Sequence, residues 1–417
     1  MDHDFIHQLA SSYGTPFYLM YPMCFKNNVR CFKAAFTKRY EKFILAYSFK
    51  TNYTIDLLRV ALDEGCYAEV VSDLEYDLAL RLGFSAEHII FNGPVKKYKY
   101  LLKAIRNHSI VNVDALYEID YLLAIRKSHP DWDISVGLRI NMEINTADGG
   151  SAVQGGLAHS RFGMTEGDLS IAIPQLRAAN IRIVSIHGHT SSDNRVVENY
   201  QIIAHTMLAV CKRYKLDDIR CFDLGGGYFG AAPEGLDLAG RPTYQDYADG
   251  ILAVLLSDEW FFRVRPFIVI EPGTSVIANV FDIVTQIYQQ KNICGKNYVV
   301  VDAGIMNVKT IMSTKNYLFD LISDKNEQAA ICADVVGSTC MERDIILRDV
   351  LLDHYRLGDY IRFRGVGAYV LSMTPVFINY LFPIIAIYND KKYQLIRRKQ
   401  TLDDILTIYE CNENIIS

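Results

Sequence analysis

The chain has 417 residues, which at roughly 150 residues per domain predicts two or three domains rather than a single core. Apolar residues make up 50% of it and charged residues 22%, values typical of globular proteins, so disorder is excluded as the main state. The 43 basic and 48 acidic side chains give a net charge of -5, which supplies neither the basic surface of a protein that binds nucleic acid polymers nor a polyacidic tail, and we expect a small-molecule ligand.

The cysteines and the first residues indicate the compartment. Nine cysteines, an odd number without CxxC pairs, do not form the disulfide framework of a small secreted domain. The start, MDHDFIHQLA, lacks the cationic and apolar regions of a signal peptide. These features predict a reducing, cytoplasmic location.

In chain order, the first predicted strand is TPFYLMY, which precedes residue 24 and comes too early for the repeating pattern that follows. A helix is predicted at 24–39. From 43 to 273, short β-branched segments alternate with longer segments of helical period, which is the pattern of βαβ units. The predicted strands are 43–50, 67–72, 89–93, 109–114, 133–140, 181–189, 219–226 and 266–271. Eight strands and eight helices in about 250 residues predict a (β/α)8 barrel of the TIM type over residues 24–273.

After Gly273 the helical period largely disappears, and segments such as VFDIVTQIY and NYVVVDAG alternate with turn residues. We expect residues 274–417 to form a mostly antiparallel β domain that residues 1–23 join, so that the fold class is α/β with a second, β domain. The uncharged stretch 369–388 has about the length of a membrane span. Because it contains Pro375, Asn379 and Pro383, we predict instead a buried strand, a turn and a second strand, and no membrane association.

Polar residues follow the predicted barrel strands at the ends where barrels carry their reactive groups. Lys50 ends the first strand. An apolar neighbourhood favours its neutral amine, which condenses with aldehydes, although an isolated lysine at a strand end commonly extends into water. The other strand ends supply His187, His189, Gly225, Gly226, Gly227, Glu271 and Gly273.

Two of these strand ends admit more than one interpretation. GGGYFG matches G-x-G-x-x-G, but the following AAPEGLDLAGRP cannot begin the helix that a dinucleotide site needs, and we favour a phosphate site built on glycine amides over a plain tight turn. The HGH pair is compatible with metal ligands, with a structural pair of histidines, or with one ring that lies against a planar cofactor. Asp193 is the nearest third ligand and no cysteine is suitably spaced, so we predict no metal and favour the cofactor.

Together these residues resemble the pyridoxal-phosphate-dependent decarboxylases of the alanine-racemase fold type, the ornithine, arginine and diaminopimelate decarboxylase family. The resemblance covers nearly the whole chain and rests on seven motifs in order. The motifs are AYSFKTN, HSRFG, HGHTSS, DLGGGY, EPG, GSTC and GAY.

The resemblance implies pyridoxal 5'-phosphate as cofactor, with Lys50 holding its aldehyde as a Schiff base and His189 stacked on its ring. It implies that Glu271 pairs with the pyridine nitrogen, which makes the ring a strong electron sink. Cys340 resembles the acid that protonates the substrate carbon from the β domain of a second subunit, so a homodimer with shared sites is expected. The remaining residues that the resemblance assigns to the cofactor are Ser192, Gly225, Gly226, Gly227, Gly273, Thr274 and Tyr369.

Departures from the family pattern bear on the substrate. Thr274 replaces an arginine that commonly follows EPG, and 303–319 lacks the arginines typical of diaminopimelate decarboxylases, which disfavours that substrate. Met341 separates Cys340 from Glu342, whereas polyamine-forming members have an acidic residue directly after the cysteine. Asp320 matches the acidic position that meets a distal amine. Asp320, Glu342 and Arg161 are the candidate substrate residues.

The segments SFKTN and TCMERD are more similar to members that tailor peptides, siderophores or carrier-bound intermediates, such as the decarboxylase domain of microcin C maturation. We therefore expect decarboxylation of an α-amino acid, free or as a moiety of a peptide, nucleotide or carrier-linked substrate. Two alternatives remain open, an amino-acid racemase on the same fold and a regulatory homologue without catalysis. Glu271 disfavours the first, and the joint presence of Lys50, His189, Glu271 and Cys340 disfavours the second.

Overall fold

A computed structural model describes residues 2–144, 151–309, 315–324, 330–389 and 392–409. The chain divides into two compact units. The barrel unit comprises Lys26–Ala231 and Leu238–Val276, and the β unit comprises Met1–Phe25, Ala232–Asp237 and Ile277–Ser417. The inclusion of 232–237 in the β unit was not predicted.

The strands follow one another along the chain in two groups. In chain order they are β1 (Phe17–Met20), β2 (Phe43–Ser48), β3 (Tyr67–Val70), β4 (Ile89–Phe91), β5 (Ile110–Val113), β6 (Ser135–Ile140), β7 (Arg182–Gly188), β8 (Cys221–Asp223), β9 (Phe267–Ile270), β10 (Phe281–Ile293), β11 (Lys296–Val301), β12 (Phe319–Ile322), β13 (Ile331–Val336), β14 (Ile345–Leu352), β15 (Tyr360–Phe363), β16 (Ile384–Asn389) and β17 (Lys392–Arg397). Strands β2 to β9 pair in parallel and in chain order, and β9 returns to β2, so the predicted eight-stranded barrel is confirmed.

The longer helices alternate with the barrel strands. The helices are α1 (His3–Tyr13), α2 (Pro22–Thr37), α3 (Ile55–Asp63), α4 (Asp73–Leu82), α5 (Tyr98–Arg106), α6 (Leu116–Ser128), α7 (Glu166–Ala178), α8 (Val197–Arg213), α9 (Tyr244–Leu255), α10 (Glu259–Val264), α11 (Thr274–Ile277), α12 (Ile305–Val308), α13 (Val370–Met373) and α14 (Leu402–Leu406). Local signals set several helix starts, because Thr165 and Thr243 each form a capping box with the aspartate three residues later. At the end of α4, Gly83 takes the left-handed conformation that favours glycine.

The β unit is a mixed, mostly antiparallel sheet with the order β14-β13-β11-β10-β1-β16-β17, to which β15 and β12 attach beside β10. The N-terminal strand β1 pairs antiparallel with β10 and parallel with β16. The predicted passage of the first strand into the C-terminal β domain is therefore confirmed. Phe17, Leu19, Val284 and Ile385 form part of its fully buried core.

Two expectations for this unit need correction. The stretch 369–388 begins with the short helix α13 instead of a strand, continues through irregular chain, and enters β16 only at Ile384. Pro375 and Pro383 have no backbone N–H for a strand ladder, and Val376 and Ile378 between them are exposed rather than buried. Helix α1 was not predicted, although Asp2 accepts from Phe5 N–H as its N-cap. Among the described residues, no helix combines the length and apolar character needed to cross a membrane.

Candidate active site

Lys50 lies in a 3-10 turn, Phe49–Thr51, immediately after β2, which ends at Ser48, two residues before the end of the predicted strand 43–50. Its Nζ donates to Glu69 Oε2 at 2.8 Å, and its side chain is 40% exposed. Ser48 Oγ donates to the same carboxylate oxygen at 2.6 Å. Lys50 would therefore have to leave Glu69 before its Nζ could react with an aldehyde.

A hydrogen-bonded chain connects this ion pair to Glu271. Asn92 Nδ2 donates to Glu69 Oε1 at 3.1 Å and to Glu271 Oε1 at 2.6 Å. Its Oδ1 accepts from Asn112 Nδ2 at 2.9 Å, and Asn112 Oδ1 accepts from Ser185 Oγ at 3.0 Å. These contacts fix the orientation of the Asn92 amide, because a flipped amide would place its oxygen against two carboxylates. Two buried carboxylates are thereby held beside one neutral donor.

Glu271 shares its buried site with Asp223 and His187. Burial and the negative charge of Glu271 raise the pKa of Asp223 well above its usual range, so Asp223 holds a proton in its hydrogen bond to Glu271. Burial acts to raise the pKa of Glu271, but the neighbouring His187 and the Asp223 hydrogen bond outweigh it and hold this pKa well below its usual range. His187 Nε2 lies 3.5 Å from Glu271 Oε2. Glu271 is therefore an ionised carboxylate at the end of β9.

His189 is held as a neutral ring at the end of β7. Gly226 N–H donates to its Nδ1 at 3.1 Å, so this nitrogen carries a lone pair and the ring proton sits on Nε2. Burial, together with the charges of Arg139 and Lys50, lowers the pKa of His189 well below its usual range. The ring lies 6.3 Å from that of His187 at an interplanar angle of 13°. A neutral imidazole ring is suited to stacking on another planar ring.

The three glycines after β8, which are predicted to bind phosphate, lie in close contact with neighbouring residues. Gly225 N–H donates to Asp223 Oδ1 at 2.9 Å, and Gly226 N–H is used by His189, so two of the three amides are engaged within the protein. Glycine is needed at two of these positions because other groups lie very close to the backbone. A Cβ at Gly225 would contact the His189 ring at 2.6 Å, and one at Gly226 would overlap the Glu271 carbonyl. Phosphate binding at these glycines stays a prediction.

The other predicted cofactor residues of the barrel unit lie at the carboxyl ends of its strands. Ser192 is buried and its Oγ accepts from Asn199 Nδ2 at 2.9 Å, which leaves its own proton for another acceptor. Gly273 packs against the Thr51 side chain, and Thr274 begins α11. Asp193, considered as a third metal ligand, accepts from Gly155 N–H at 3.1 Å instead.

The predicted substrate residue Arg161 lies in the same unit and is exposed. Its guanidinium stacks over the Phe162 ring at 4.1 Å. Its role as a substrate contact stays a prediction.

In the β unit, Cys340 and Glu342 occupy an exposed loop between β13 and β14. Tyr369, at the start of α13, has a φ of 65°, the left-handed conformation that a bulky residue adopts only where its surroundings impose it. This conformation turns the chain sharply at the GAY motif.

Asp320, which is predicted to bind a distal amine of the substrate, is already paired with two arginines. Arg362 and Arg364 both donate to its carboxylate, and Arg362 Nε lies 2.7 Å from Oδ2. Burial opposes ionisation, but these hydrogen bonds hold the pKa of Asp320 below its usual range. A distal amine of the substrate would have to compete with two guanidinium groups for the Asp320 carboxylate. Binding of such an amine by Asp320 stays a prediction.

Four further residues complete the site and were not predicted from the sequence: Glu69, Asn92, Asn112 and Asp223. Each is a polar residue within or directly after a short apolar strand, and each is less than 4% exposed. A charged residue inside a barrel strand, as in YAEV, is the signal that identifies such positions.

The arrangement fits pyridoxal phosphate. Lys50 supplies an amine and Glu271 an ionised carboxylate for a pyridinium nitrogen, while His189 supplies a ring face and Ser192 a hydroxyl. His187 Nδ1 is buried without a hydrogen-bond partner among the described residues, and its Nε2 faces Glu271 Oε2 at 3.5 Å. The donor set includes groups for the aldehyde, the ring and its nitrogen.

Comparison with known proteins decides the family. Residues 26–278 match the family model described as "Pyridoxal-dependent decarboxylase, pyridoxal binding domain". The chain belongs to this family. Its cofactor is pyridoxal phosphate, and it is a pyridoxal-phosphate-dependent amino-acid decarboxylase by family.

Relatives of this decarboxylase cover nearly all of it. A diaminopimelate decarboxylase of Helicobacter pylori is 27% identical over 416 residues, with 97% of each chain covered. The L-glutamyl-[BtrI acyl-carrier protein] decarboxylase of Niallia circulans is 27% identical over 426 residues, covering 97% of this chain and 96% of its own. The crystal structure of the Helicobacter pylori diaminopimelate decarboxylase complexed with L-lysine superposes with a TM-score of 0.82 at 26% identity, covering 96% of this chain and 98% of that one.

Proposed function

We propose that this decarboxylase releases carbon dioxide from an α-amino acid, free or as a moiety of a larger molecule. The observation that supports it is the connected set Lys50, Glu69, Asn92 and Glu271, which places an amine and an ionised carboxylate at the carboxyl ends of neighbouring barrel strands. Bound pyridoxal phosphate supplies an electron sink for the pair that carbon dioxide leaves behind.

The residues of the chain have separate tasks in this proposal. Lys50 binds the cofactor aldehyde after it leaves Glu69. Glu271, whose pKa the neighbouring His187 and the Asp223 hydrogen bond hold below its usual range, would pair with a protonated pyridine nitrogen and so maintain the sink. His189 would lie against the ring as a neutral face, and Ser192 with Gly227, Gly273 and Thr274 would bind the phosphate end. The assignment of Tyr369 to the phosphate stays a prediction.

We propose that Cys340 donates a proton to the substrate carbon and that it does so across a two-fold interface. This makes the protein a homodimer with shared sites. An exposed thiol in a short loop is free to reach a neighbouring molecule.

The substrate that we propose carries an α-amino and an α-carboxyl group on a longer or conjugated chain. Thr274 supplies no positive charge where the family commonly has an arginine, and Asp320 is already neutralised by two guanidinium groups. Both features disfavour a small substrate with a second carboxylate or a free distal amine. The Niallia circulans relative, which by its name acts on a glutamyl group attached to a carrier protein, supports a conjugated substrate.

Carbon dioxide release tests the proposal. The purified protein, incubated with pyridoxal phosphate, is given meso-diaminopimelate, L-lysine, L-ornithine, L-arginine, L-glutamate and glutamyl conjugates. We expect release from at least one of them and its loss in Lys50→Ala, while Lys42→Ala, at the opposite end of β2, keeps wild-type activity. Loss of optical activity without carbon dioxide would establish racemisation instead, and a wild-type protein that binds no cofactor would overturn the proposal.

A further inference from the structure

The loop that carries Cys340 is built around one buried carboxylate. This Cys loop comprises residues 337–344. Asp344 Oδ1 accepts from Ile305 N–H at 2.6 Å, and its Oδ2 accepts from Thr339 N–H at 3.0 Å and from Thr339 Oγ1 at 2.5 Å. The Asp344 side chain is only 3% exposed. Three hydrogen bonds fix the position of this carboxyl group and of its donors.

Backbone contacts close the Cys loop around Asp344. Gly337 N–H donates to Asp344 O at 2.8 Å, and Asp344 N–H donates to Met341 O at 3.0 Å. Met341 N–H reaches Thr339 Oγ1 at 3.4 Å. Both neighbours of Cys340 in the chain are therefore anchored directly or indirectly to Asp344, while Cys340 itself stays exposed at the tip.

The Asp344 carboxyl group also explains why the GSTC motif begins with a glycine, Gly337. A Cβ on Gly337 would overlap the Asp344 carboxyl group, and Gly304, beside Ile305, lies next to the same group. The space that a side chain would fill at Gly337 is occupied by Asp344. The absence of a side chain at Gly337 therefore allows the buried Asp344 carboxyl group to lie beside the Cys loop.

We propose that Asp344 is the positioning residue that holds Cys340 in place for proton transfer. The proposal rests on the proposed function, since only the role of Cys340 gives its position a chemical consequence. In that reaction the bond between the substrate α-carbon and its carboxyl group breaks, and carbon dioxide leaves without the bonding electrons. This electron pair then takes the Cys340 proton, which gives the amine. Water then returns a proton to the thiolate.

If the Cys340 thiol is misplaced, we expect a specific side reaction. If the pair takes its proton at the cofactor carbon instead, hydrolysis of the carbon–nitrogen bond gives a carbonyl compound and aminated cofactor. Carbon dioxide is still released, but the amine formed per carbon dioxide falls below one. A purely structural role for Asp344 would lower the amount of folded protein without changing this ratio.

The variants isolate Asp344 from general stability. Asp344→Asn keeps the shape and places an amide against N–H donors, and Thr339→Val keeps the carboxylate but removes one donor. Asp359→Asn is the matched control, because Asp359 is a carboxylate equally buried in the β unit that binds Arg356 and not the Cys loop.

Two measurements test the proposal. In cofactor-free protein, hydrogen exchange followed by mass spectrometry should accelerate at least tenfold over residues 337–344 in Asp344→Asn, less in Thr339→Val, and not in Asp359→Asn. In loaded protein, the amine formed per carbon dioxide should fall at least twofold in Asp344→Asn, less in Thr339→Val, and stay at the wild-type value in the control. The substrate for this assay is the panel member that releases carbon dioxide.

Unchanged exchange in the Cys loop, or faster exchange with an unchanged amine ratio, would overturn the proposal. If Asp344→Asn does not fold, the same two outcomes in Thr339→Val decide it. Failure of the proposed function is distinguishable, because it removes carbon dioxide release from the wild type as well, whereas failure of the present proposal leaves that release intact.

Discussion

Asn92 donates to Glu271 through a hydrogen bond of 2.6 Å, and the same amide nitrogen donates to Glu69, the carboxylate that binds Lys50. One neutral side chain therefore touches both carboxylates on which the proposed cofactor site depends. Because a buried polar group without a partner is costly, loss of this donor would leave both carboxylates less well satisfied.

Asn92→Leu keeps the approximate volume and removes the donor. A hydrogen bond to a charged group contributes about 1.5–3 kcal/mol, which corresponds to roughly a tenfold to hundredfold change in rate. We expect turnover to fall by at least tenfold with pyridoxal phosphate still bound, measured by carbon dioxide release and by cofactor absorbance. Ser109→Ala, which removes a buried hydroxyl between β4 and β5 away from these carboxylates, is the control. Turnover within twofold of wild type would contradict the bridging role of Asn92.

Glu271→Gln tests the charge at the pyridine nitrogen. The amide keeps the shape of the side chain and loses the negative charge that favours a protonated ring. We expect turnover to fall by orders of magnitude while the cofactor remains bound. Steady-state rates and the cofactor absorbance measured on the same sample check this. A near wild-type rate would show that the ring is not held protonated by this residue.

Mixing two inactive variants tests the shared site. A Lys50→Ala subunit lacks the amine, and a Cys340→Ala subunit lacks the acid, but a mixed dimer has one site with intact copies of both. On random exchange, half the dimers are mixed and half their sites are intact, so activity should return to roughly a quarter of wild type. The measured quantity is amine formation after subunit exchange verified by native mass spectrometry. Activity no greater than the sum of the two variants would remove the dimeric site from the proposal.

The pKa of His189 predicts a neutral ring in neutral and mildly acidic solution. Its lowered pKa means that the fold disfavours the imidazolium, so the stability that this group contributes is present above its ordinary pKa, 6.5, and is lost as the pH falls below it. In nitrogen-15 NMR of the cofactor-free protein, His189 should show an unprotonated Nδ1 and a protonated Nε2 from pH 8 to pH 6. An imidazolium signal at pH 7 would contradict this.

Glu75 provides a second pH dependence, of opposite sign. Burial raises its pKa to about 7, against an ordinary value of 4.5. The fold therefore binds this proton more tightly than the unfolded chain does, so the stability it contributes is complete below pH 4.5 and is lost as the pH rises to 7. Glu75→Gln, which keeps an acceptor for Val71 N–H, should stabilise the protein by up to about 3 kcal/mol above pH 7 and by little at pH 4.5. Urea unfolding at both pH values measures the difference, and Glu87→Gln, at an exposed position, is the control.

The parts of the fold that follow local rules could be predicted. Buried strands rich in Ile and Val alternate with capped helices, and this pattern alone indicates the barrel and hence the edge on which Lys50 and Glu271 lie. Helix α1 was missed, although Asp2 as its cap and Ile6 and Leu9 as its buried face provide the usual signals. The strand expected at the start of 369–388 failed because uncharged composition does not distinguish a buried segment from an exposed one.

The site could be predicted only as far as strand ends identify it. Glu69 and Asn92 act through partners on other strands, and the register of those strands is not contained in local sequence. The glycine amides illustrate the same limit, because their use by Asp223 and His189 depends on side chains that come from two different strands. The double pairing of Asp320 likewise depends on β15 lying beside β12.

The pairing of β1 has a consequence for synthesis. Phe17–Met20 leaves the ribosome early, yet its two neighbours in the sheet are β10 and β16, which follow it by most of the length of the chain. Chains fold from their N-terminal part during synthesis, and pairing between distant strands is slow because a long loop must close first. The apolar segment FYLM therefore has no strand partner while the barrel strands emerge from the ribosome. We expect chaperones to bind this segment in nascent chains that are stalled before residue 384.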